Sequence, residues 1–233
     1  MRIAIYHTNP TDQNAVSRGD HYGRMFEDML YPLMTGTTFE NFDVLDGVFP
    51  DDPTSFDAVV ITGSSAFVTD DAAWIDTLFS HIRDMVRAKT KLFAVCFGHQ
   101  AVAMALGGRV EHREIVLGAP EIRVTSRKDW MQPAAESLRL YGGNFQQVVE
   151  VPDTLEVLAS HPDCPVALMA KGEHLMTVQF HPEFSAEYMH RYVDQISEYI
   201  SDGRAVAARQ EFEGGADGAI FAKWAAGFLN GNI

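Results

Sequence analysis

Cys96 is the residue best placed by its neighbours to do covalent chemistry. It stands between the apolar run Lys91-Leu92-Phe93-Ala94-Val95 and Phe97-Gly98-His99-Gln100, which opens a helical stretch of small residues. Ala94 and Gly98, two before and two after, are small enough for the sharp strand-to-helix turn that pushes its central side chain outward. Backbone N–H groups at a helix start favour the thiolate, the nucleophilic form of a cysteine. A cysteine in such a place is by itself more often a small buried hydrophobe, so the reading depends on partners. A nucleophile needs a base, and the base needs a third group to orient it. Among nine histidines, His181 follows the strand-like Met176-Thr177-Val178-Gln179-Phe180 and precedes Glu183 by two residues, with Pro182 between. Residues two apart on an extended chain point to the same side, so Glu183 can hold the imidazole. Cys96 and His181 both fall at carboxyl ends of strands, where reactive groups collect in a parallel sheet.

The elements that must position these groups change character along the chain. Ile3-Ala4-Ile5-Tyr6, a weaker Asp43-Val44-Leu45, Ala58-Val59-Val60-Ile61-Thr62 and Lys91-Leu92-Phe93-Ala94-Val95 read as strands. Trp74, Leu78, Ile82 and Met85/Val86 recur at helical spacing, with Ile75 and Phe79 widening the stripe and Asp70 or Asp71 available as a cap. Strand, helix, strand, tight turn and helix imply a parallel sheet covered on both faces. After it come short strands at Ile122-Arg123-Val124, Gln147-Val148-Val149, Glu156-Val157-Leu158, Val166-Ala167-Leu168-Met169 and 176–180, with little helix between. A mixed sheet or antiparallel extension is expected there. A helix is expected over 186–200, a surface connection over 201–217 and a last helix over 218–229.

Composition narrows the partners. Eighteen Lys and Arg against 32 Asp and Glu give a formal charge of −14 over 233 residues, which argues against binding phosphate backbones of nucleic acids. Two cysteines, Cys96 and Cys164, are too few for a disulfide scaffold and point to a reducing compartment. The first residues read as a strand, not a charged leader, and no stretch reaches the roughly 18 apolar residues of a membrane helix. A cytoplasmic location without membrane contact is expected. The histidines lack metal-ligand spacing, and His161 with Cys164 lies between Pro162 and Pro165 with no second pair, so no metal is expected. Gly63-Ser64-Ser65 lacks the lysine of a phosphate loop; no cofactor is expected. His99, beneath the turn, reads as a structural hydrogen-bonding residue, Trp74 as packing, and the aspartates at 43, 46, 51, 52 and 57 as a solvated face.

Ala94-Val95-Cys96-Phe97-Gly98-His99-Gln100 together with Gln179-Phe180-His181-Pro182-Glu183 resembles the class I (triad) glutamine amidotransferase family. The resemblance runs from the first strand to about Ile200. Val44-Leu45-Asp46-Gly47 through Ile61-Thr62-Gly63-Ser64, then Trp74-Ile75, is most similar to its stand-alone members, the GMP-synthase-like amidotransferases and the γ-glutamyl peptidases. The resemblance implies an α/β, single-domain, flavodoxin-like fold with a central, mostly parallel sheet, helices on both faces and a small antiparallel extension. Residues 1–200 would form the amidotransferase domain, and 201–233 a connection and helix packed on it.

By the same resemblance, Cys96 would attack the γ-carbonyl of glutamine or a γ-glutamyl amide, His181 would relay the proton to the leaving amine, and Glu183 would orient His181. The backbone N–H groups of Phe97 and Ser64 would form the oxyanion hole, with Gly63 keeping that turn open and Gln100 contacting substrate. Two departures stand out. Gly63-Ser64-Ser65 replaces the family's Gly-Gly-Pro, and Asn144-Phe145-Gln146-Gln147-Val148 replaces the His-x-Asp-x-Val of GMP-synthase types. The residues after Ile200 are too few for a synthase domain, so an ammonia acceptor would be another polypeptide or water. Hydrolysis through a γ-glutamyl thioester on Cys96 is the leading expectation. An ammonia-supplying subunit of a separate synthase and a catalytically silent regulatory relative are the alternatives. Substrate specificity is expected from loops at 8–20 and 114–133, and a homo-oligomer is compatible with the sequence.

Overall fold

The computed structural model describes residues 1–9 and 21–231; residues 10–20, most of the first expected specificity loop, lie outside them. The first half runs β1 (Arg2–His7), α1 (Tyr22–Leu30), β2 (Thr38–Asp43), β3 (Ala58–Ile61), α2 (Ala73–Ala88), β4 (Lys91–Val95) and α3 (Phe97–Ala105). The second begins with β5 (Arg109–Gly118), β6 (Glu121–Val124), β7 (Ser137–Arg139) and β8 (Gly142–Glu150). It continues with β9 (Glu156–His161), β10 (Cys164–Lys171), β11 (Leu175–Val178), α4 (Ala186–Gln195), α5 (Asp202–Phe212) and α6 (Gly218–Asn230).

Strand alternation sorts the core into two. Ile3 and Ile5 of β1 join Val60, Phe93 and Val95 on one face, against Phe26 and Leu30 of α1 and Phe221, Trp224 and Phe228 of α6. Ala4 and Tyr6 join Val59, Ile61, Leu92 and Ala94 on the other, against Ile75, Leu78 and Ile82 of α2 and Ala101 and Val102 of α3. Side chains such as Phe221 and Phe228 are fully buried, each contributing about 1.5–3 kcal/mol over its exposed state. The sheet order is β2-β1-β3-β4-β11-β10-β9-β6-β7, parallel from β2 through β11 and antiparallel beyond. A separate antiparallel ribbon pairs β5 with β8. The fold is thus the expected α/β arrangement, with parallel strands at its centre and an antiparallel extension. No helix of the described residues is long and apolar enough to cross a membrane.

Several expected elements move. The strand expected at 43–45 lies earlier, at β2; Val44–Asp46 is a 3-10 turn closed by Gly47 at φ 79°. As an exposed edge, β2 shows Phe39 and Phe42 and otherwise polar residues. Asp70 does not cap α2, because its carboxylate accepts the N–H of Phe67 in a preceding turn (2.9 Å) and the helix starts after Ala72. The expected helix over 186–200 ends at Gln195, followed by a 3-10 turn. The expected connection over 201–217 contains α5, capped by the Ser201 hydroxyl and burying Ala208 and Phe212. Much of the loop expected over 114–133 is strand, in β5 and β6.

Candidate active site

The parallel pairing of β4 with β11 sets the site. Val95 and Val178 are in register, and the Cys96 N–H donates to the Val178 carbonyl (2.8 Å). Both strands therefore end side by side, with Cys96 just past one and His181 just past the other. The backbone at Cys96 adopts φ 51°, ψ −103°, a conformation that costs on the order of 1–3 kcal/mol and that surrounding structure must enforce. Part of that enforcement is Gly98. A Cβ there would lie 2.8 Å from the Ile61 carbonyl oxygen and 2.9 Å from Ile61 Cγ2, so only glycine lets α3 approach β3 this closely. Cys96 itself is 8% exposed.

The His181 imidazole and the Cys96 side chain both border Gly63, and the imidazole Nδ1 lies 2.6 Å from Oε1 of Glu183. Its main-chain N–H donates to the Tyr141 carbonyl (2.8 Å), joining the post-β11 segment to the antiparallel half. The Glu183 side chain is wholly buried, and its Oε2 has no hydrogen-bond partner among the described residues. Burial opposes charge on His181, but the facing Glu183 carboxylate and the Cys96 side chain prevail and push its pKa up to about 10. The opposite case is His99. It is fully buried with Nδ1 2.9 Å from the Thr177 hydroxyl, and burial lowers its pKa to about 3, so it stays neutral. Cys164 is also buried, and burial raises its thiol to about 12; it lacks the partners of Cys96.

Gly63, Ser64, Phe97 and Gln100 gather around this pair. A Cβ on Gly63 would sit 2.8 Å from Cε1 of His181 and 3.5 Å from Cβ of Cys96. Space for the imidazole, not a left-handed turn, is what glycine provides here. The Ser64 hydroxyl donates to the Thr8 carbonyl (2.6 Å) and accepts from the Ala66 N–H (3.0 Å), so what Ser64 offers the pocket is its main chain. The Phe97 N–H opens α3 and has no intrahelical acceptor. Gln100 lines the pocket and donates to the Gln146 carbonyl (2.8 Å) and to Gln179 Oε1 (3.2 Å). Trp74 stacks on Phe97 (centroids 5.3 Å), as packing.

Cys96 opens onto a pocket of about 430 Å³. Ser64 to Phe67 form one wall, Asn144 to Gln146 of β8 another, and Tyr192 and Ile196 a third. Among its described lining residues none is Asp, Glu, Lys, Arg or His. A larger cleft of about 570 Å³, beside Arg113 and Arg204, contains none of these residues.

Some features around the site carry no sequence signal. Phe184 stacks face to face on His181, centroids 3.9 Å apart and planes at 6°, and is backed by Tyr22 and Tyr188. Gln146 has both ends of its amide engaged: Oε1 accepts from the Val68 N–H (3.0 Å) and Nε2 donates to the Thr69 hydroxyl (2.8 Å). It fastens the loop after β3 to β8, a task a carboxylate cannot do at both ends.

The fold is similar to a solved glutamine amidotransferase from Thermotoga maritima, with TM-score 0.76, 98% and 97% of the two chains covered, and 16% identity. Gamma-glutamyl peptidase 5 of Arabidopsis thaliana is 31% identical over 172 residues, 69% of this chain and 68% of that one. A GMP synthase [glutamine-hydrolyzing] of Clostridium novyi is 33% identical over 94 residues, 40% of this chain and 18% of the synthase. The glutamine amidotransferase class-I model matches residues 35–196, from β2 through Cys96 and His181 to the end of α4, and the chain belongs to that family.

Proposed function

We propose that this protein hydrolyses the γ-amide of glutamine or of a γ-glutamyl compound through a thioester on Cys96. The observation that carries the reading is His181, which borders Gly63 together with Cys96 and pairs with buried Glu183 at 2.6 Å, beside the pocket onto which Cys96 opens. The Cys96 thiolate attacks the γ-carbonyl carbon. The oxyanion is met by the N–H groups of Phe97 and Ser64, a single such donor being worth about 3–4 kcal/mol. Collapse breaks the C–N bond, and His181 gives its proton to the departing amine, leaving a γ-glutamyl thioester. Water then attacks the thioester carbonyl as His181 takes its proton, and glutamate leaves as the thiolate is restored. Glu183 holds the imidazole in place throughout, and Gln100 contacts the substrate. The similarity to a γ-glutamyl peptidase supports this substrate class. Residues 1–200 are read as the amidotransferase domain, with 201–233 packed on it.

Incubation with glutamine and a panel of γ-glutamyl peptides, with Cys96→Ala as control, tests the proposal. Amine release by the parent and none by the variant is expected; equal release would refute it. A second reading, supply of ammonia to a separate synthase, draws on the similarity over 94 residues to a GMP synthase. It requires weak turnover alone and a large gain with a partner, and brisk turnover without one would exclude it.

A further inference from the structure

Away from Cys96, the described residues bring three nitrogen and oxygen donors together: one ligand atom each from His7, His21 and Asp43, all within 4.8 Å of one another. Sequence spacing could not reveal this, because the convergence arises from strand register. β1 and β2 run parallel with His7 opposite Asp43, both at carboxyl ends, and His7 Nδ1 lies 3.3 Å from Asp43 Oδ1. His21 immediately precedes α1 and brings its Nε2 to 3.9 Å from the same oxygen. The two imidazoles lie face to face, centroids 3.8 Å apart.

We propose that His7, His21 and Asp43 bind a divalent transition-metal ion, zinc by their donor chemistry, through two imidazoles, one carboxylate and an open fourth position. Three protein ligands and a free position form a set that zinc accepts. Donors about 2.0–2.1 Å from a tetrahedral ion stand about 3.3 Å apart, close to the observed 3.3 and 3.9 Å separations; because the two rings are stacked, the partly exposed His21 ring must turn to aim its nitrogen at the ion that His7 binds. The polar contact of His7 with Asp43 at 3.3 Å accounts for one separation, whereas His21, 3.9 Å from the same oxygen, is beyond hydrogen-bond reach. The backbone makes room for the ring: a Cβ on Gly23 would lie 3.0 Å from His21 Cε1, 3.1 Å from its Nδ1, and nearer still to Asn41 Oδ1. His7 is 3% exposed and fixed by the sheet, while Asp43 is 56% exposed and leaves the site reachable. Asp46 adds negative charge at longer range. The ion would tie the ends of β1 and β2 to the first turn of α1, whose Tyr22 packs against Phe184 behind His181.

The test titrates cobalt(II) into the full chain carrying Cys96→Ala, which removes the competing thiolate. One equivalent should bind with visible ligand-field bands that zinc erases, and zinc should raise the Tm by several degrees, as ligand binding to the folded state does. Asp43→Asn and His21→Gln, both at partly exposed positions, should each raise the cobalt Kd at least tenfold and abolish the zinc-induced rise in Tm. His161→Gln should change neither. Absence of stoichiometric binding, or parental affinity in either Asp43→Asn or His21→Gln, overturns the proposal.

Discussion

Gly63 and His181 occupy the same space: a Cβ built on Gly63 would stand 2.8 Å from Cε1 of the imidazole. Gly63→Ala should therefore push His181 off its line between Cys96 and Glu183. A displacement near 1 Å costs about 10²-fold in rate, while the overpacking itself costs about 1–3 kcal/mol. Steady-state kinetics beside a urea midpoint checks this; unchanged kcat with a normal midpoint would contradict it.

Glu183→Gln keeps the shape of the side chain and removes its charge. With the carboxylate gone, burial acts on His181 with less opposition, and its pKa should fall from about 10. Removing the orienting acid from such a constellation costs about 10⁴-fold in kcat. Kinetics together with NMR titration of the His181 ring measures both effects, and a parental pKa would show that Glu183 is not what holds the proton.

The same pair makes stability depend on pH in a definite direction. The pKa of His181 is raised from 6.5 in the unfolded reference to about 10. Its contribution is fully present below about pH 6.5, declines as the unfolded chain releases its proton, and is lost as pH passes about 10. The difference in unfolding free energy between parent and Glu183→Gln, on the order of a few kcal/mol, should shrink from pH 6 to pH 10. Urea unfolding at three pH values reads it; a difference that grows with pH would be the wrong sign.

Phe184 stacks on the imidazole, its ring 3.9 Å away and within 6° of parallel, and is expected to position it. Phe184→Leu should lower kcat about tenfold with little change in KM, since an aromatic stack is worth about 0.5–1.5 kcal/mol beyond burial. It should also shift the pH–rate profile, and Phe184→Tyr should restore both. A loss of stability alone, with kcat and profile intact, would assign Phe184 to packing.

What was legible in the sequence was local. Small flanks at Ala94 and Gly98 mark the bend at Cys96, and a two-residue spacing relates His181 to Glu183. The parallel strands were legible because burial on both faces leaves unbroken apolar runs. What was hidden depends on neighbours distant in the chain. β2 is an exposed edge with two phenylalanines to show for it. α5 buries Ala208 and Phe212 and forms no apolar stripe. Gln146 reads as a lost aspartate until its partners at Val68 and Thr69 are seen. The meeting of His7 with Asp43 follows from strand register, which no spacing encodes.

Acid-quenched intact-mass analysis during turnover of glutamine tests the central proposition most directly. A mass increase of one γ-glutamyl group, mapped to the peptide holding Cys96 and missing from Cys96→Ala, is the expected result. Turnover with no adduct on Cys96, or an adduct mapped to Cys164, would contradict it.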